Sequence, residues 1–105
     1  MGERLMARFD VYKYSKNGPL VLDVQADLLA GLKTRVVVPL LPYAEAKTEA
    51  VPRLKPVLTV KGKKHVLMVT DIGTVEVAKL GGAIDNLEGQ RHEIISALDF
   101  LMQGF

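Results

Sequence analysis

The chain has 105 residues, no cysteine and a formal net charge of +2. That length suits one domain with a single core. The missing thiols exclude a disulfide framework and thiolate metal sites, in keeping with a reducing cytoplasm. The charge is too small to argue nucleic-acid binding by itself, and no apolar run approaches the roughly 18–20 residues that span a bilayer. The opening "MGERLMARF" lacks a secretory core segment and carries Met6 where a myristoylation site needs Ser or Thr, so no membrane partner is expected.

The first half reads as strands. "RFDVYKY" (Arg8 to Tyr14) alternates, with Phe9 and Val11 on one face and Tyr12 and Tyr14 on the other. "PLVLDVQA" (Pro19 to Ala26) points Leu20, Leu22 and Val24 inward and Val21, Asp23 and Gln25 the opposite way. The intervening "SKNGP" predicts a hairpin whose Asn17 and Gly18 take positive φ. "TRVVVPL" (Thr34 to Leu40) is a β-branched run expected to be buried on both faces, with Pro39 at its end or at a bulge. "PYAEAKTEAV" (Pro42 to Val51) is a helical turn or two.

"KPVLTV" (Lys55 to Val60) and "KHVLMVTDI" (Lys64 to Ile72) form two strands joined at Gly62, and "TVEVAKL" (Thr74 to Leu80) a further one. After Gly81-Gly82 the period changes. Ile94, Leu98 and Leu101 recur at helical spacing, Ile95 and Met102 widen the stripe, and Asp85 with Glu88 reads as a capping box. Short strands followed by one helix predict a mainly β, α+β fold: a small antiparallel barrel or sandwich closed by the terminal helix.

Catalytic and metal motifs are absent: no phosphate-cradling glycine loop, no nucleophile elbow, no metal-ligand spacing, hence no cofactor and no catalytic residue. His65 and His92 read as solvated surface residues rather than general bases. Asp71, at a strand end before glycine, reads as a turn-capping carboxylate rather than an acid or base. The "KGKKH" loop (Lys61 to His65) is either a solvated hairpin tip or a phosphate-attracting one. Arg35 either pairs with a buried Asp or reaches RNA phosphate.

In order and spacing, "FDVYKY", "LVLDVQADLL", "RVVVPL", "MVTDIGTVEVAKLG" and a helix ending in "FLMQGF" resemble the CcdB family of plasmid and chromosomal toxins. The resemblance runs from Met6 to Phe105, with Met6-Ala7-Arg8-Phe9 matching the family's Met-x-Phe start. It implies residues 6–105 as one toxin domain, with residues 1–5 either an upstream extension or the product of an alternative start, expected to be disordered. The implied fold is a dimeric, SH3-like barrel with a second small sheet and a C-terminal helix.

The implied activity is not enzymatic. CcdB toxins bind the GyrA subunit of DNA gyrase and trap its cleaved complex. A CcdA antitoxin neutralises them and represses the operon, so operator DNA is met only through the antitoxin. The family's gyrase contact, Trp-Gly-Ile, corresponds to Gln103, Gly104 and Phe105, so glutamine stands where the family's tryptophan stacks on an arginine. The antitoxin groove corresponds to Leu28, Leu29, Asp99 and Met102; without the resemblance, Leu28 and Leu29 read as core.

Two alternatives stand beside gyrase poisoning. One is a MazF-like endoribonuclease, the same superfold, using Arg35 with Thr70 or Thr74 and the Lys61–Lys64 loop. The other is a non-poisoning homologue that keeps antitoxin binding.

Overall fold

The computed structural model describes residues 6–104. The expected disorder of residues 1–5 and the role given to Phe105 lie outside the described residues. Seven strands make one sheet in the order β4-β5-β3-β2-β1-β7, with β6 added on β3. The strands are β1 (Asp10–Lys13), β2 (Leu20–Asp23), β3 (Thr34–Pro42), β4 (Val57–Val60), β5 (Lys63–Leu67), β6 (Gly73–Glu76) and β7 (Asp85–Asn86). All pairings are antiparallel. The sheet curls into a nearly closed barrel, and the β4–β5 hairpin is hydrogen-bonded into it through β3.

Alternation along the strands sorts residues to two sides. Phe9, Val11, Leu22, Val24, Val38 and Leu40 join one buried cluster, whose helical members Ile94 and Ala97 come from α2 (Arg91–Gln103). Tyr12, Val21 and Val37 form a second cluster on the other side. Each fully buried Leu, Val or Phe in the first cluster contributes about 1.5–3 kcal/mol. The predicted helical stretch forms α1 (Tyr43–Ala46) and a 3₁₀ turn (Lys47–Glu49), which lay Ala46 and Ala50 against Val66 and Met68 of the β5 segment.

Three local expectations are corrected. In the first hairpin the positive φ falls on Ser15, at 54°, not on Asn17 or Gly18. Gly18 is required for a different reason, since a Cβ there would overlap the carbonyl oxygen of Tyr14. Pro39 lies within β3, opposite Val21, rather than at its end. Its missing N–H costs nothing there, because it falls where the neighbouring strand changes: β6 pairs with β3 as far as Val37, and β5 from Leu40.

Asp85 forms no capping box with Glu88. It sits in β7 and accepts from the Lys61 N–H at 2.8 Å, while Asn86 accepts from the Glu88 N–H at 2.8 Å. The residue preceding α2, Gln90, is spent on the barrel seam. Its amide accepts from the Thr59 N–H at 2.9 Å and donates to the Thr59 carbonyl at 2.8 Å. Side chains from the segment before α2 thereby cap the exposed edge of β4, a position otherwise open to pairing with another chain.

Candidate functional site

α2 ends on Gly104, whose left-handed φ of 80° and N–H bond to the Phe100 carbonyl at 2.8 Å stop the helix. That termination fixes the direction of the last turn. Asp99 and Gln103 are exposed, and Met102 is 76% exposed. Met102 therefore does not widen the buried stripe. Ile95, Leu98 and Leu101 pack against the core cluster, and the final turn carries Met102 past it. A glutamine and a methionine are left standing in solvent beside the helix end.

The second exposed apolar element is a 3₁₀ turn, Asp27–Leu29, after β2. Leu28 is 93% exposed and Leu29 47%, so the core reading of these leucines fails. The turn is tied down at both ends. Gln25, buried, donates through Nε2 to the Leu29 carbonyl at 2.9 Å and accepts from the Val36 N–H at 3.0 Å. Asp27 accepts from the Arg8 N–H at 2.7 Å, and Arg8 Nε donates to the Val24 carbonyl at 3.1 Å. Two leucines held out of the core by an ordered frame are a presented surface. Leu32, 53% exposed just beyond this turn, extends the apolar surface and was missed from sequence, although its position beside Leu28-Leu29 was a signal.

Beneath this turn lies a buried polar network. Arg35 and Asp23 are both fully buried; Arg35 Nε donates to Asp23 Oδ2 at 2.8 Å, and Nη2 pairs with the same oxygen. The other Asp23 oxygen accepts from the Gln25 N–H at 2.9 Å. Burial pushes the Asp23 carboxyl above its ordinary range, while Arg35 and the Gln25 N–H pull it back. Tyr12 donates to Asp10 at 3.0 Å, and Asp10 also accepts from Asn86 at 2.9 Å. Burial and that bond to Asp10 raise the Tyr12 phenol well above its ordinary value.

Of the two roles open to Arg35, the structure selects the buried pair. It does not gather the other RNA-cleaving candidates around it. Arg35 faces Val75 across the β3–β6 ladder and Thr74 faces Val36, so Arg35 and Thr74 belong to opposite faces. Thr70 is exposed on a separate 3₁₀ turn (Val69–Asp71). The lysine hairpin lies beyond Pro42, which pairs with His65, roughly 20 Å along β3 from Arg35. His65 itself is 7% exposed, with Nδ1 3.0 Å from the Lys63 carbonyl, so it is no surface residue; β5 turns it inward opposite Leu58. His92 is exposed as expected. Among the described residues no cluster of acidic, His or Cys side chains is arranged to hold a metal, and no helix is long and apolar enough to cross a membrane.

A family model described as "CcdB protein" matches residues 8–104. The chain belongs to the CcdB family. With the family comes the broad class, a toxin of a toxin–antitoxin pair. Two solved structures share the fold. One is an endoribonuclease in complex with its cognate antitoxin from a mycobacterial species, at 16% identity and a TM-score of 0.76, covering 92% of this chain and 94% of that one. The other is a mycobacterial endoribonuclease at 16% identity and a TM-score of 0.71, covering 97% and 95%. In this CcdB-family chain, Leu28, Leu29, Asp99, Met102, Gln103 and Gly104, the described residues among those expected from sequence to meet partners, are all at the surface.

Proposed function

We propose that this chain is a toxin that acts by docking on a protein, with the A subunit of DNA gyrase as target and a CcdA-type antitoxin as neutraliser. The observation that carries the reading is the pairing of exposed Met102 and Gln103 with a helix end fixed by Gly104. A fixed helix end loses little entropy on binding. In this reading Gln103, Gly104 and Phe105 meet gyrase, as a cytoplasmic homodimer. Leu28, Leu29, Asp99 and Met102 receive the antitoxin, apolar area supplying affinity and Asp99 orientation. Operator DNA is met only through the antitoxin.

Gln103 lowers the expected gyrase affinity. An indole stacked on a guanidinium contributes about 0.5–2 kcal/mol that an amide cannot. Supercoiling and gyrase-dependent DNA cleavage assays with micromolar protein test the target. Gln103→Trp should increase the cleaved complex; the same cleavage from both proteins would remove the tail from the contact. Sedimentation at micromolar concentration tests the dimer, which a species of 11.5 kDa would contradict.

A second reading, endoribonuclease, is favoured by the names of the two fold neighbours. Against it stands Arg35, whose guanidinium is sealed against Asp23. Cleavage of a long RNA by purified protein, abolished by Arg35→Lys in a variant that still folds, would replace the docking reading with this one.

A further inference from the structure

The ladder along one edge of β3 is interrupted at Pro39, and the interruption leaves a cleft. β6 ends its pairing at Val37 and β5 begins at Leu40; between them Pro39 has no N–H to donate and is held on this edge through its carbonyl, which accepts from the Met68 N–H at 2.9 Å. The chain crosses the gap as the 3₁₀ turn Val69–Asp71. The cleft on this outer face holds about 290 Å³, and its lining combines apolar Val21, Val37, Pro39 and Val75 with the aromatic Tyr14 and the acidic Asp71.

Asp71 is the charged member of this lining. It does not cap the turn it ends, since the turn has no side-chain cap bond, and its exposed carboxylate has neither a hydrogen bond nor an ion pair among the described residues. The protein as a whole is basic, so Asp71 is not one point in a general acidic field.

We propose that this cleft receives an arginine side chain presented by a protein partner. The apolar lining matches the methylene stem of arginine, an aromatic ring suits the guanidinium plane, and a free carboxylate in the same lining accepts its forked N–H groups. An acidic or phosphorylated ligand would be repelled by Asp71, and an aliphatic one would leave the carboxylate facing a dry contact. The site is independent of the helix end and of the exposed leucines, so it stands whichever target the tail meets.

The test is a titration of the ¹⁵N-labelled full chain with N-acetyl-arginine methylamide, followed at the Gly73, Thr74 and Val75 amides. Saturable shifts are expected with a dissociation constant on the order of millimolar, the range open to one side chain. The citrulline analogue, equal in shape but uncharged, should bind about fivefold more weakly, and Asp71→Asn should weaken the arginine probe by about the same factor. Because Asp71 makes no contact that holds the fold, its variant should keep the wild-type spectrum elsewhere. Equal binding of the arginine and citrulline probes, or no shift at these amides up to about 20 mM, would overturn the proposal.

Discussion

The two sides of the β1–β2–β3 sheet are both buried, and they are buried by different means. On one side Phe9, Val11, Leu22, Val38 and Leu40 meet Ile94 and Ala97 of α2, and water is excluded by apolar contact alone. On the other, the apolar group is small, Tyr12, Val21 and Val37, and the rest of the interior is Asp10, Asp23, Gln25 and Arg35. The first side tolerates imperfect partners, because dispersion and the hydrophobic effect have no direction. The second depends on specific partners, because a buried polar group without one carries its full desolvation cost, and Arg35 already leaves Nη1 without a hydrogen bond. The Leu28–Leu29 turn is attached to this second side through Gln25, so the presented surface depends on partners within it.

The sharpest way to break the contrast is to remove one member of the ion pair. Arg35→Ala leaves Asp23 buried without its cation and should cost about 3–5 kcal/mol, measured from urea unfolding midpoints. The double variant Arg35→Met with Asp23→Leu should recover much of that loss, since an apolar pair needs no partner charge. Recovery will be incomplete, because the Gln25 N–H then lacks its acceptor, at about 1–3 kcal/mol. A double variant no more stable than Arg35→Ala would mean that the pair is not the controlling feature of this side.

On the apolar side, Leu22→Ala should cost about 2–5 kcal/mol, scaling with the cavity left behind. A partner substitution nearby, such as Ala97→Leu, can refill part of that space from the helix. The two sides then differ in kind: the apolar loss is graded and repairable by volume, and the polar loss is repairable only by removing charge. If Leu22→Ala disordered the Asp27–Leu29 turn as strongly as Arg35→Ala does, the division between the sides would fail.

The same division separates what the sequence made legible from what it did not. Phe9, Val11, Leu22 and Val24 follow the period of a strand, and Ile94, Leu98 and Leu101 that of a helix, so the apolar side and its closing helix can be read directly. Asp23 sits in the same alternation, but its burial depends on Arg35, twelve residues away. No local pattern links them. Asp85 went astray for a related reason: its partner, Lys61, lies across the barrel seam. For the candidate site, family resemblance singled out Leu28 and Leu29, while periodicity alone placed Met102 in the core; the final turn of α2 outruns the surface it could pack on. Asp71 was noticed in the sequence, but its cleft depends on how β5 and β6 divide β3.

The smallest expected effect is also the most specific to the polar side. Tyr12→Phe removes the bond to Asp10 and should cost about 1.5 kcal/mol near neutral pH, within the range for bonds to charged groups. In the wild type the folded phenol keeps its proton above the ordinary tyrosine value of 10.0, whereas the unfolded phenol loses it there. The folded state then binds more protons than the unfolded one, so stability falls as pH rises, by up to about 1.4 kcal/mol per pH unit. Below pH 10 this contribution is constant. Phenylalanine lacks it altogether, so the wild-type and Tyr12→Phe stability curves should converge above pH 10 and meet near about pH 11. The difference between the two curves removes every contribution that the two proteins share. Alkaline limbs that stay parallel would mean that Tyr12 ionises at its ordinary pH and that water reaches the polar side of the sheet.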